Sequence, residues 1–279
     1  MYIIVGGLFT DEIYMQPFIK QLQTTKNDNV FFCMLNHSSK EHITFENQCD
    51  MVFDLILYKI LMRHDIKDKS NINLIGYSLG CTILLRVITL LWNVLEIKVN
   101  NITFVNPCNF FCDICFDKSF TYSNFKHNVS LISDKNVPYQ YSIKHNIQFV
   151  NLLSTCLNWI PLFRQLFVWL YNLTVAKRLE EPECLIEFIT KQNSNIINEL
   201  IKSNLAEKNV YRLIDNLPMN LKKIKIISGK QDRYNSYGKL LSEYRNDLFT
   251  LCEVDGMHHI LHPNYVSMQN MCVCLCLFK

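Results

Sequence analysis

Short runs of β-branched, aromatic and aliphatic residues alternate along this chain with longer segments of helical period. That alternation specifies parallel βαβ units rather than a sandwich or a bundle. Residues 2–5, 30–35, 72–75, 102–105, 225–228 and 248–254 read as strands. Between them, a helix is expected to start near Pro17, a good first-turn residue, with Phe18 and Leu22 facing inward. A second opens at Thr44 as its N-cap and carries Val52, Phe53, Ile56 and Ile60 at helical spacing until His64. A strongly apolar helix runs through Leu91, and another covers residues 236–244. The expected class is α/β, a mostly parallel sheet of about six strands flanked by helices. With 279 residues, 49% of them hydrophobic, the chain can bury a substantial core.

Residues 109–217 break the pattern, being long, aromatic-rich and mainly helical in period, so they read as a lid inserted over the sheet. The core then comprises residues 1–108 and 218–279. Within the lid, residues 149–173 are the most apolar part of the chain. Asn151, Asn158, Pro161, Arg164, Gln165 and Asn172 interrupt the run, which falls short of the roughly 18 uncharged apolar residues a membrane span needs. Two amphipathic helices meeting near Pro161 fit better. They are expected either to wall an acyl pocket or to touch a membrane interface at its periphery.

A net charge of +3 with scattered Lys and Arg leaves no electrostatic footprint for nucleic acid. Twelve cysteines in a chain of this length, opening Met1-Tyr2-Ile3-Ile4 without a basic leader or long apolar stretch, read as mostly reduced thiols of a cytoplasmic protein. Cys108, Cys112 and Cys115, with Cys272, Cys274 and Cys276, lack the paired hooks of a structural zinc site. Gly6-Gly7 lacks the further glycines and lysine of a phosphate loop. No metal or organic cofactor is expected.

Gly76-Tyr77-Ser78-Leu79-Gly80 sits between a β-run and a helix, the context in which a Gly-x-Ser-x-Gly turn presents a nucleophile. Such a turn forces the serine into strained backbone angles, and glycines two residues to either side permit the close approach. It also puts the amide of Leu79 at a helix N-terminus, suited to an oxyanion. Serine needs a base, for which histidine has the fitting pKa. Of eight histidines, His258 and His259 follow the last strand, at the carboxyl edge where open α/β sheets bind ligands. Asp232, after the strand at 225–228, is the favoured acid partner, with Asp113 and Asp117 as rivals. The order Ser, Asp, His is that of α/β-hydrolases.

The segments Val5-Gly6-Gly7-Leu8-Phe9, Gly76-Tyr77-Ser78-Leu79-Gly80, Ser228-Gly229-Lys230-Gln231-Asp232 and Asp255-Gly256-Met257-His258-His259 resemble the α/β-hydrolase superfamily. Residues 229–233 and 256–262 are most similar to monoacylglycerol lipases and lysophospholipases. The resemblance implies Ser78 as nucleophile, Asp232 as acid and His259 as base, His258 being the fallback. It also implies an oxyanion hole from the amides of Leu8 and Leu79. Phe9 and Tyr77, with Trp159 and Phe163 of the lid, are the expected substrate contacts. The chain departs from the family in three places. Gly6 stands where a histidine is usual, Cys81 replaces a second glycine after the elbow, and the opening strand corresponds to the family's third. The implied activity is cleavage of a carboxylic ester or thioester of an acyl or lipid substrate. The alternative is a catalytically silent member that binds lipid or a protein through its lid. A peptidase or an epoxide hydrolase fits less well, the latter needing an aspartate at the elbow.

Overall fold

The computed structural model describes residues 1–7, 10, 12–26, 29–35, 44–62, 72–107, 210–230, 232 and 235–257. Tyr2–Val5 (β1), Val30–Cys33 (β2), Asn73–Tyr77 (β3), Asn101–Val105 (β4), Ile224–Gly229 (β5) and Phe249–Val254 (β6) form its strands. They pair in one six-stranded sheet of order β2-β1-β3-β4-β5-β6, every pairing parallel. Five helices connect them among the described residues: Glu12–Lys26 (α1), Phe45–Leu61 (α2), Leu79–Leu95 (α3), Val210–Asp215 (α4) and Asn235–Tyr244 (α5). The α/β class and the strand count expected from the sequence are both observed.

Alternation along each strand sends successive side chains to opposite faces. Ile3, Val5, Leu74, Phe104, Ile224 and Ile226 join the core beneath α2, α3, α4 and α5, whereas Ile4, Ile75, Tyr77, Val105 and Ile227 face α1. Both faces are therefore covered, as a parallel sheet requires. The helix α3 is the main packing element, burying Leu79, Ile83, Leu84, Leu85, Val87, Ile88 and Leu91. Burying each such aliphatic side chain contributes about 1.5–3 kcal/mol.

Several boundaries differ from the sequence expectation, among them β2, which ends at Cys33 rather than residue 35, β3, which runs on to Tyr77, and α3, which continues to Leu95. The first helix begins at Glu12, so Pro17 lies inside it rather than at its start. The reason is packing: Met15, Phe18, Ile19 and Leu22 form one buried stripe at helical spacing, and Met15 anchors the turn upstream of the proline. The second helix ends at Leu61, capped at Met62, short of His64. Its N-cap is as expected, with Thr44 Oγ1 accepting the Asn47 N–H at 3.1 Å. Of the region read as a lid, only residues 210–217 are described; Ile214 and Leu217 pack into the core beside α3. Asp113, Asp117, Trp159, Phe163 and the 149–173 segment lie outside the described residues. No described helix is long and apolar enough to cross a membrane.

Candidate active site

Strand order locates the site before any side chain is considered. The crossover from β1 leads outward to β2 while β3 begins the opposite direction, so β1 and β3 flank the topological switch point where ligands bind in open sheets. The loop after β1 and the Gly-x-Ser-x-Gly turn after β3 both emerge there, with Val5 in register with Gly76.

Ser78 has φ 53° and ψ −120°, a left-handed conformation that a serine adopts only when its surroundings enforce it. Three close contacts supply the enforcement. A β-carbon at Gly76 would lie 2.7 Å from Cys81 Cα, and one at Gly80 would collide with the carbonyl oxygens of Val5 and Gly6. One at Gly7 would lie 2.6 Å from Ser78 Cβ and 3.2 Å from its Oγ. The Ser78 N–H donates to Val105 O at 3.0 Å, fixing the turn to β4 as well. Although Ser78 occupies the N-cap position of α3, its hydroxyl makes no capping bond to that helix. Leu79 is the first residue of α3, so its N–H belongs to the turn that has no intrahelical acceptor. Tyr77 is buried on the α1 side of the sheet.

The loop after β1 is held by a residue that the sequence did not single out. Thr10 is buried, its hydroxyl donates to Gly7 O at 2.7 Å, and its N–H reaches the same oxygen at 3.4 Å. The only advance signal is a threonine three residues after a glycine, a common local turn. Gly6 has a packing reason too, since a β-carbon there would lie 2.7 Å from Thr10 Oγ1 and 2.9 Å from Phe32 Cζ. Any side chain at this position would have to displace Thr10 Oγ1 and the tip of the Phe32 ring. Leu8 and Phe9 lie outside the described residues.

Asp232 is buried just beyond β5, its N–H donating to Gly229 O at 3.1 Å. The strands β3 and β5 are separated only by β4, hence by ~10 Å between their backbones. The loop after β6 packs against the acid's loop. A β-carbon at Gly229 would collide with Met257 O, Lys230 N–H donates to Val254 O at 3.0 Å, and Lys230 Nζ meets Asp255 Oδ1 at 2.9 Å. Gly256 turns the chain at φ 71°, and Met257 is fully buried. His258 and His259 follow directly in sequence and lie outside the described residues. Ser78, Asp232 and the stem leading to the histidines thus share one edge of one sheet.

A second residue missed by sequence reading lies between them. Asn106, fully buried at the end of β4, has φ 44° and accepts the Gly229 N–H on Oδ1 at 2.9 Å. Beneath the elbow, Cys81 directs Sγ at Val105 O, 3.7 Å away, and burial pushes its thiol well above the ordinary range. It stays protonated and is no rival nucleophile. Cys33, Cys49, Cys81 and Cys252 are in no disulfide, and the described residues contain no cluster of ligands able to hold a metal. A shallow depression of about 600 Å³ runs along α2, lined by Asn47, Asp50, Met51, Asp54, Leu55 and Tyr58. None of these residues belongs to the carboxyl-edge group.

A parallel sheet with a strained serine on the strand-to-helix turn at its switch point defines the class: a doubly covered α/β fold with a nucleophile-elbow geometry. More narrowly, it is the α/β-hydrolase fold, and comparison with solved structures agrees. An α/β-hydrolase fold protein from Burkholderia ambifaria aligns with 100% of this chain and 90% of its own, at TM-score 0.53 and 11% identity. MenH from S. aureus aligns over 99% and 91%, at TM-score 0.57 and 12% identity. Carboxyl esterase 2 from the fungus Tuber melanosporum aligns over 99% and 75%, at TM-score 0.53 and 10% identity. No protein-family model and no curated protein matches the sequence.

Proposed function

We propose that the chain is a serine hydrolase that cleaves a carboxylic ester or thioester of an acyl or lipid substrate, such as a monoacylglycerol or lysophospholipid. The observation that carries this reading is Ser78 itself: a buried serine at φ 53°, wedged between Gly7, Gly76 and Gly80 at the sheet's switch point. Such a conformation costs of order 1–3 kcal/mol, and backbone strain of this kind clusters at active sites.

In the mechanism, His259 accepts the Ser78 proton as Oγ attacks the substrate carbonyl. The amides of Leu8 and Leu79 receive the oxyanion, and Asp232 holds the imidazole in the required tautomer and offsets its positive charge. His259 then returns the proton to the departing alcohol or thiol. Water, activated by the same imidazole, releases the acyl group from Ser78. Residues 109–217, apart from the stretch from α4 onward that packs into the core, serve as the lid over this site, with Trp159 and Phe163 joining Phe9 and Tyr77 along the acyl chain. On this reading the protein works in the cytoplasm and meets membranes peripherally through the lid.

A second reading is a silent member that binds lipid or a protein through the lid. It is favoured by Gly6, which stands where related enzymes usually carry a histidine and is packed against Thr10 and Phe32. Turnover separates the two. Purified protein is expected to hydrolyse p-nitrophenyl esters or monoacylglycerols, and Ser78→Ala to lose this activity. Lipid binding without turnover of any ester or thioester supports the silent reading instead.

A further inference from the structure

The dipeptide Val105-Asn106 holds two loops at once. Val105 O accepts the N–H of Ser78 at 3.0 Å, and the next residue, Asn106, accepts the N–H of Gly229 on its side chain at 2.9 Å. Gly229 O in turn accepts the N–H of Asp232 at 3.1 Å. A short chain of hydrogen bonds thus runs from the serine's own amide, across the end of β4, to the amide of the aspartate.

The residue type follows from two separate demands at position 106. The backbone turns left-handed there, φ 44°, which most side chains resist and asparagine tolerates. The register of β4 with β5 ends at Val105 against Ile227, and the Asn106 N–H makes the last ladder bond, to Ile227 O at 2.8 Å. With the main chain turned away, the buried Gly229 N–H needs another acceptor, and Asn106 Oδ1 provides it. Glycine meets the first demand alone. Serine or glutamine meets the second poorly. Asn106 is fully buried, so solvent cannot substitute for it.

We propose that Asn106 is a positioning residue, which sets the distance between the Ser78 elbow and the Asp232 loop through its bond to Gly229. The inference rests on the serine-hydrolase reading for its catalytic consequence, but the anchoring can be measured without turnover. Asn106→Gly keeps the backbone conformation and removes the acceptor, while Asn106→Asp keeps both. Hydrogen exchange in Asn106→Gly is expected to speed up at least tenfold at the amides of residues 229–232, and to stay unchanged in β1 and the middle of α3. Its kcat is expected to fall by about 100-fold, as for a slight misplacement of catalytic groups, with KM within twofold. Asn106→Asp, which keeps the acceptor but buries a carboxyl in place of the amide, is expected to slow exchange at 229–232 relative to Asn106→Gly. If Asn106→Gly does not fold, Asn106→Ser, whose hydroxyl falls short of Gly229, replaces it. Unchanged exchange at 229–232 overturns the proposal, and so does faster exchange with kcat intact. Wild-type protein inert towards every ester overturns the hydrolase reading instead, and the exchange rates alone then decide whether Asn106 anchors the loop.

Discussion

A methyl group at Gly80 would enter the space of the Val5 and Gly6 carbonyl oxygens, two backbone atoms that cannot swing aside. Gly80→Ala is therefore expected to destabilise the protein by about 2 kcal/mol or more, as a strained overpacked site does. The contrast is Gly238, inside α5, where the nearest atom to an added β-carbon is the Ile226 Cγ2 methyl at 3.3 Å. There, the gain in helix propensity of up to ~1 kcal/mol offsets the crowding, and Gly238→Ala is expected to stay within about 1 kcal/mol of wild type. Urea unfolding of both variants measures the difference, and equal losses would contradict the packing described. At the same scale, burial pushes the Cys33 thiol up to about 12 from an ordinary 9.0. The folded state holds that proton more tightly, so the stabilisation is complete below pH 9 and declines as pH rises towards 12. Unfolding free energy measured from pH 7 to pH 10.5 is expected to fall more steeply for wild type than for Cys33→Ala. Parallel slopes would contradict it.

Among the elements, α2 shows how local chemistry and long-range packing divide the work. Its start is written locally, in Thr44 and the three-residue reach to Asn47 N–H, and Thr44→Ala is expected to cost about 1 kcal/mol in thermal or urea unfolding. No loss would mean that the cap is redundant. Its apolar stripe of Val52, Ile56 and Ile60 was legible for the same reason: helical period is a local property. The Gly-x-Ser-x-Gly turn was legible because its neighbours in sequence are also its strand and its helix. The start of α1 was not, because Pro17 is a strong local signal for a first turn, while the burial of Met15 is decided by the sheet beneath it. Thr10 was missed because a threonine bonded three residues back reads as a common local turn, and Asn106 for the latter reason. The Asn106 partner lies 123 residues further along the chain, and an asparagine after a strand otherwise reads as an ordinary turn residue.

At the scale of the molecule, six parallel strands bring the ends of β1, β3, β5 and β6 to one rim; the class of that sheet follows from alternating patterns alone, whereas its strand order does not. Which loops touch across the rim does not follow from pattern. Gly229 against Met257, Gly7 against Ser78 and Asn106 against Gly229 are tertiary contacts that no single segment encodes. The most direct measurement of the proposed chemistry is labelling by a fluorophosphonate probe, with the adduct located by peptide mass spectrometry. Wild-type protein is expected to carry one adduct, on Ser78, and Ser78→Ala to carry none while keeping its circular dichroism spectrum. An unlabelled, folded wild type, or a Ser78→Ala variant labelled at undiminished strength, would contradict Ser78 as the nucleophile.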